Sequence, residues 1–433
     1  MSGAQNAPDG ASLRAKTIAR SDALRVAIAS LISAGSGYVV LAFAARVLVP
    51  VENNTVFVTF WSTLFACFGV LSGFSIETTR AVTAATSSPA GGQDDRHPRV
   101  ITVGVVVGLL AGLALAASSP LWAARMFATD SFWLAGLACL GVTAYAGHSV
   151  VVGSLAGRRS WAMYSRLIAS EATVRLCLVL ASVVVGTTLL GVAAGTAMAA
   201  FTWVAFLAAS PQARRAAMTR ADSTLATFLR RIAAASVATG SSAVLVVGFP
   251  VLLSLTTPTA QYIRAAPVLL AISLTRAPLM IPLNAYQGVA VSHFVAHRAR
   301  GLRAMLPVAR VILVVGLFGA ALAYAVGPWV MTTLLGPGYG VSGQVLAGLT
   351  AAATFIALLT VTGALCQALT LHGRFVAGWV CAVVVAVLVL LLPFDLATRA
   401  VLALSIGPIA GIVLHLTALR RADVVASTGL RAG

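Results

Sequence analysis

Carboxylates are scarce in this chain: 11 Asp and Glu stand against 29 Lys and Arg in 433 residues. Charged residues of both signs make up 9% of the sequence, where soluble domains average about 25%. Lysine is nearly absent, with Lys16 alone, so the basic set is arginine. Together with abundant Ala and Gly, this is the habit of a GC-rich bacterial genome. Cysteine is limited to Cys67, Cys139, Cys177, Cys366 and Cys381. All five fall inside apolar runs and none forms a CxxC pair, which excludes a disulfide framework or a thiolate metal site; they read as small core residues. No Walker sequence and no HExxH occurs, and no outer loop holds the paired carboxylates that a polyprenyl-sugar glycosyltransferase needs. These absences exclude an ATPase, a zinc hydrolase and that transferase, so neither enzyme activity, cofactor nor metal is expected. The net charge of +18 does not signal nucleic acid, because the arginines punctuate apolar runs instead of clustering on one segment.

What is there is apolar length. Hydrophobic residues reach 59% and the mean hydropathy is +0.97. Runs such as 101–117 and 376–392 are long enough for a hydrocarbon core of about 30 Å. A β-barrel would show alternating segments of about ten residues instead. In hydrocarbon every backbone polar group must be satisfied internally, and helices do this. The fold class expected is an all-α polytopic membrane protein of about twelve helices in two six-helix bundles, related by a pseudo-twofold axis along the membrane normal. The helices are expected at 23–49, 55–76, 101–121, 132–155, 163–185 and 188–209, then at 232–255, 263–289, 306–328, 345–369, 376–392 and 397–419. The domains follow: a tail at 1–22, with an amphipathic turn around Leu13 to Leu24; a first bundle at 23–209; a basic linker at 210–231; a second bundle at 232–419; and a tail at 420–433.

Orientation comes from the positive-inside rule. With the N-terminus in the cytoplasm, 23 of the 29 basic residues fall on the cytoplasmic side. Arg46, Arg125, Arg264 and Arg399 fall outside, and Arg175 and Arg276 inside helices. Shifting the helix count by one midway would reverse everything after it. The expected location is the bacterial inner membrane, with both termini cytoplasmic. The first residues lack the apolar core and cleavage site of a signal peptide. The outer loops are short and leave no room for an external catalytic domain. The loop after the second helix, Thr78 to Val100, also lacks the Gly-Asp-Arg-Gly-Arg type of signature of major facilitator transporters.

A faint internal repeat supports two halves. GRRSWAM (Gly157 to Met163) and GRFVAGW (Gly373 to Trp379) occupy the same place in each, a plan common among transporters. A mid-membrane arginine costs roughly 2.5–3.5 kcal/mol on insertion scales, so it persists with a partner, a wet cavity or a ligand. Arg276, in SLTRAPLMIPLN, precedes Pro278 and Pro282, which are expected to open its own helix and free carbonyls beside a cavity. It is the first candidate for contacting a phosphate; the alternative is an arginine paired with a neighbouring helix. Arg264 stands three turns before it, and Arg25 and Arg80 near the cytoplasmic ends of the first two helices; all three join it as candidates. Against this stands a simpler role, solvated anchoring of helix ends, with Glu77 and Arg80 self-paired. Glu171 and Arg175 at i, i+4 share one helix face. They are either a self-neutralising pair or a gate or ion-coupling switch. His148 and His415 read as packing or interhelical hydrogen-bond residues.

FAARVLVPVENNTVFVTFWSTL (Phe43 to Leu64) resembles a segment of the polysaccharide flippases of the multidrug/oligosaccharidyl-lipid/polysaccharide exporter superfamily. Arg46, Leu48, Pro50 and Glu52 match; Val49 and Asn54 stand where glycines are usual. LLGPGYGVSGQVL (Leu334 to Leu346) is similar to the start of that family's tenth helix, through Gly336, Pro337 and Tyr339. The resemblance implies two bundles around a central cationic cavity, alternating access, and transfer of a polyprenyl-(pyro)phosphate-linked saccharide from the inner to the outer leaflet. It implies a phosphate-contact role for Arg276, Arg264, Arg25 and Arg80, and leaves Arg46 a structural role at the outer rim. The expected partners are the lipid-linked saccharide, membrane lipids and glycosyltransferases or a polymerase of the same pathway, and the expected state is a monomer. The alternatives are a cation-coupled multidrug exporter of the same superfamily, which would want an acidic site, and a non-transporting scaffold of a glycan-assembly complex.

Overall fold

The apolar runs form helices from end to end. A computed structural model describes residues 20–87, 97–186, 188–296 and 302–429, so the expected turn around Leu13 begins outside the described residues. The first half holds α1 (Arg20–Val47), α2 (Val51–Ser87), α3 (Val100–Met126), α4 (Ser131–Gly157) and α5 (Trp161–Ala181). It ends with α6 (Leu189–Met198), continued through a short 3-10 turn by α7 (Thr202–Ala209). A short α8 (Pro211–Ala217) follows, then α9 (Leu225–Val246), α10 (Phe249–Thr256) and α11 (Thr259–Tyr262). The second half continues with α12 (Ala266–Ala296), α13 (Leu306–Leu335), α14 (Gly343–Ala368), α15 (His372–Leu390) and α16 (Leu396–Gly429). Among the described residues the only β contact is an isolated bridge between Arg99 and Arg220.

Among the described residues, ten helices are long and apolar enough to cross a membrane. The pair α9 and α10, bent by 66°, makes one more span. Helix α5 completes the twelve, although Arg166, Glu171 and Arg175 burden it with charge. Since the crossings alternate, one face gathers the start of α1, the end of α2, the α4–α5 turn and α8, and with them most of the arginines. We call it the basic face.

Two boundaries differ from the sequence expectation for clear reasons. Helix α2 continues past residue 76 to Ser87 because its polar end is satisfied. Thr79, Thr83 and Thr86 donate to carbonyls one turn back, and Glu77 takes Arg80. Helix α9 starts at Leu225, so the last part of the expected linker is already helical. The rest of the linker is fixed to the first half. Val100 N–H donates to Thr219 O, Ala221 N–H to Pro98 O, and Arg158 Nε to the Thr219 hydroxyl.

The halves meet where α9 lies along α2, while its other side packs on α15. Small residues allow this approach. A Cβ on Gly73 would stand 2.4 Å from Ser236 N, and one on Gly69 2.3 Å from Ala243 Cβ. The internal repeat is visible in the chain path. Helices α4 and α14 end in the same motif, with left-handed Arg159 and Thr370 and with Ser160 N bonded to Leu155 O as Leu371 N is to Cys366 O. This pattern satisfies terminal carbonyls. Its register differs from the letters, since Gly373 and Arg374 belong to the first turn of α15.

Candidate functional site

The break between α9 and α10 follows from two residues. Pro250 has no N–H to return to the carbonyl of Val246, and its ring crowds that position. Gly248 packs so closely that a Cβ there would lie 2.8 Å from Val244 O. Helix α9 therefore ends with unpaired carbonyls inside the molecule, where burial without partners is costly. Arg276 of α12 supplies the donor. Its Nη1 lies 2.8 Å from Val246 O and 3.4 Å from Leu245 O, and its guanidinium rests 5.8 Å from the Phe249 ring centre. A cation at a helix C-terminus also meets the negative end of the helix dipole. The opening expected beside Pro278 and Pro282 is thus found elsewhere: α12 runs unbroken through both prolines, and the free carbonyls come from α9. Helix α9 breaks where Gly248 and Pro250 fall together.

Arg276 is 6% exposed, and its Nη2 has no protein partner. It lines a cavity of about 610 Å³ built by α1, α2, α4 and α5 of the first half and by the α9–α10 break and α12 of the second. Glu171 and Arg175 line the same cavity. They form the ion pair that their spacing suggested. Arg175 also lies over the rings of Phe65 and Trp61, at 4.9 and 5.9 Å from their centres, and its Nε is unpaired. An aromatic wall backs the site. Trp61 stacks on Phe65 at 4.3 Å, Tyr145 on Phe68 at 3.8 Å, and His148 on Tyr145 at 5.2 Å. His148 Nδ1 is buried without a partner. Serine and tyrosine hydroxyls complete the lining, among them Ser30, Ser33, Tyr38, Ser75, Ser149 and Tyr164. The site thus holds two guanidiniums, one carboxylate and several unspent hydrogen-bonding atoms, an arrangement suited to an anion carrying hydroxyl groups.

The remaining arginine candidates lie outside this cavity. Arg264 is 82% exposed, with Nε 3.7 Å from Glu52 Oε1 on the face opposite the basic one. Arg25 is exposed and pairs with Asp22 at 3.1 Å. Arg80 is held by Glu77 and by Asp222 at 2.9 Å, and Arg231 approaches Asp222 at 3.5 Å. Burial alone would raise the Asp222 carboxyl, but the hydrogen bonds and charge of Arg80 and the charge of Arg231 hold it below its usual range. His415 packs within the second half, where Nε2 donates to Phe375 O at 3.2 Å and Nδ1 faces the Thr362 hydroxyl at 2.9 Å. Among the described residues no group of His, Cys, Asp and Glu could hold a metal ion. The aromatic wall was not singled out from sequence, although Phe57, Trp61, Phe65 and Phe68 recur at helical spacing on α2.

The cavity reaches toward the basic face as far as Tyr164, in the first turn of α5. On the opposite side the halves are joined. Arg46 donates to Leu334 O at 2.8 Å and to Thr333 O, and Asn54 to the Tyr339 hydroxyl at 3.0 Å. Ala266 N–H donates to the Thr55 hydroxyl at 3.0 Å, and Tyr262 Oη lies 2.7 Å from Thr59 Oγ1.

Comparison with known proteins agrees with this geometry. Rv1510 of Mycobacterium tuberculosis (strain H37Rv), described as an uncharacterized protein, is 39% identical over 419 residues, covering 97% of this chain and 95% of its own length. Rv3630 of the same strain, described likewise, is 40% identical over 406 residues, covering 94% of both chains. No protein-family model matches the chain. The fold is shared with transporters of known structure. An inward-facing multidrug resistance transporter of the MATE family in the MOP superfamily superimposes with a TM-score of 0.70 at 15% identity, over 91% of this chain and 98% of its own. Its outward-facing form gives 0.67 at 14% identity, over 93% and 96%. A MOP superfamily transporter from Pyrococcus furiosus, reported with a binding pocket of reversed polarity, gives 0.64 at 14% identity, over 92% and 95%. At such identities the likeness is one of architecture: helices in two bundles with a cavity between them.

Proposed function

The chain belongs to the family of the mycobacterial proteins Rv1510 and Rv3630, and we propose that it is a transporter that moves a polyprenyl-(pyro)phosphate-linked saccharide across the cytoplasmic membrane by alternating access. The observation that carries this reading is that Arg276, whose Nη2 has no protein partner, lines a cavity shared by both halves together with Arg175 and Glu171. A buried guanidinium with an unused donor suits a phosphate, whose oxygens accept fork-like pairs of hydrogen bonds. The hydroxyls and the aromatic wall suit a sugar headgroup. Placing the basic face in the cytoplasm, the side that the charge asymmetry favours, makes this conformation inward-facing, with the belt around Tyr262 and Tyr339 closing the outer side.

In the proposed cycle the headgroup enters from the inner leaflet, pairs with Arg276 and screens its charge, while the lipid tail stays in the bilayer. Opening then requires the belt to part and the basic-face contacts to tighten. The test is genetic and chemical. In a deletion strain, polyprenyl-linked glycans should accumulate in a form shielded from a membrane-impermeant sugar-modifying reagent. The wild-type gene should reverse this and Arg276→Ala should not. Full complementation by Arg276→Ala would sink the assignment.

A second reading rests on Glu171 and the stacked aromatics, which could take a cationic amphiphile as in a multidrug exporter. Changed sensitivity to cationic drugs without glycan accumulation would favour it. No change in either measurement would favour a scaffold.

A further inference from the structure

Helices α1 and α5 present two different faces. Toward the cavity they show residues such as Ala34, Tyr38, Ile168 and Arg175. On the opposite side a second cleft, of about 370 Å³, lies between them. Its lining comes from positions 25, 28, 29 and 32 of α1 and 162, 165, 166 and 169 of α5. Both sets follow the same i, i+3, i+4, i+7 pattern, so each is one stripe of its helix. The cleft has a polar mouth and an apolar body. Arg25 and Arg166 stand at the mouth; Ile28 and Ile32, 49% and 42% exposed, form the wall.

Three features mark it as built for a ligand. Arg166 has no side-chain partner among the described residues, and Asp22 occupies one Nη of Arg25. Ser165 in the floor is 8% exposed, and its hydroxyl makes no hydrogen bond, not even the bond to the preceding turn that Ser170 makes on the same helix. The depth is also telling. Each arginine lies in the second turn from its helix start on the basic face, and α5 begins there with Trp161, an aromatic of the kind found at the lipid headgroup level. Long arginine side chains there extend toward phosphates.

We propose that this cleft is a binding site for a resident anionic phospholipid. The phosphate pairs with Arg166 and the free side of Arg25, the glycerol region reaches Ser165, and an acyl chain lies on Ile28 and Ile32. The occupant is bilayer lipid and not cargo, because the packed α1–α5 seam separates the cleft from the central cavity. A lipid wedged there braces the one helix pair that borders both.

The test uses the full chain in detergent micelles doped with phosphatidylglycerol or phosphatidylcholine, read by lipid retention in native mass spectrometry and by thermal shift. Phosphatidylglycerol should be retained preferentially and should raise the Tm. Arg166→Gln, which removes a group without a protein partner, should weaken retention about fivefold, and Arg25→Gln/Arg166→Gln about 25-fold, at roughly 1 kcal/mol per arginine near the lipid surface. Arg303→Gln/Arg310→Gln, the same charge loss elsewhere on the basic face, should change it little. Equal losses in the two double variants, or none in either, would overturn the proposal. So would preferential retention of a polyprenyl phosphate, which would make the cleft a station for cargo. Lipid retention is read without transport, so failure here and failure of the transporter reading are separable.

Discussion

Arg276 and Arg399 serve the two halves of one broken span, α9 and α10, and differ in where they stand: Arg276 lines the central cavity and Arg399 does not. Both are 6% exposed and both give their charge to helix C-termini instead of carboxylates. Arg399 Nη1 donates to Leu390 O at 3.0 Å and weakly to Thr256 O at 3.4 Å, and its Nη2 to the Thr257 hydroxyl at 3.3 Å, tying the end of α10 to the end of α15. Arg276 serves the end of α9 through Nη1, and its Nη2 is buried without a partner. Each keeps one buried nitrogen without a partner, Nε in Arg399 and Nη2 in Arg276, but of the two Arg276 alone belongs to the lining of the central cavity. A chain with few acids can still bury arginine when its helices break, because each broken end offers several carbonyls and a dipole. Arg46, Arg125 and Arg214 use the ends of α13, α10 and α7 in the same way.

The largest expected effect comes from removing Arg276 from the cavity wall. Arg276→Ala should lower transport about tenfold to a hundredfold, the value of a charged hydrogen bond of about 1.5–3 kcal/mol, measured as loss of the polyprenyl-linked product from the outer leaflet. Arg276→Lys keeps the charge but not the fork, and should recover part of it. Glu171→Gln comes next. It leaves Arg175 buried without its counter-charge, a change that costs about 3–5 kcal/mol in buried pairs. It should appear as poor yield and a lowered Tm, whereas Glu171→Gln/Arg175→Met should regain stability. If the single variant is as stable as wild type, the pair is not structural.

Arg399→Ala sharpens the comparison from the other side. It should cost about 1–3 kcal/mol through unpaired carbonyls, seen in Tm, while the folded fraction keeps its transport. Equal loss of transport in the Arg399 and Arg276 variants would erase the distinction. Pro250→Ala should let α9 and α10 straighten and compete for Val246 O, so the distance between spin labels at the two ends of the span should lengthen and transport should slow.

The smallest effect is expected at Asp222. Its folded pKa lies below the ordinary carboxylate value, so its stabilising contribution is complete above about pH 4 and is lost as pH falls through the folded value. Thermal stability should therefore not change between pH 5 and 8 on its account. Asp222→Asn should cost no more than about 1 kcal/mol, since Arg80 is partly exposed.

The helix count was legible because a bilayer demands about twenty apolar residues per crossing, and this chain supplies them in separate runs. The Glu171–Arg175 pair was legible because a helix makes i and i+4 neighbours. The setting of Arg276 was half legible. Its burial could be read from its place in an apolar run, but its partners lie some thirty positions earlier in α9. The clues there, Gly248 and Pro250, are ordinary residues whose effect depends on which helix stands opposite. In sequence Arg80, Arg25 and Arg264 joined Arg276 as candidates near helix ends, and only packing showed Arg25 and Arg80 paired with carboxylates on the basic face and Arg264 exposed on the opposite one. The aromatic wall was written at helical spacing in α2, yet no periodicity says whether such a stripe faces lipid, core or cavity.

The sequence by itself determined that this protein lives in a membrane, how many times it crosses, and that its few internal charges must be compensated. Those follow from composition and one-dimensional period, which the bilayer reads directly. Only the tertiary structure decided which buried arginines line the cavity with a donor to spare, because hydrogen-bond capacity left over is a property of what surrounds a side chain, and the surroundings come from helices far apart in the chain.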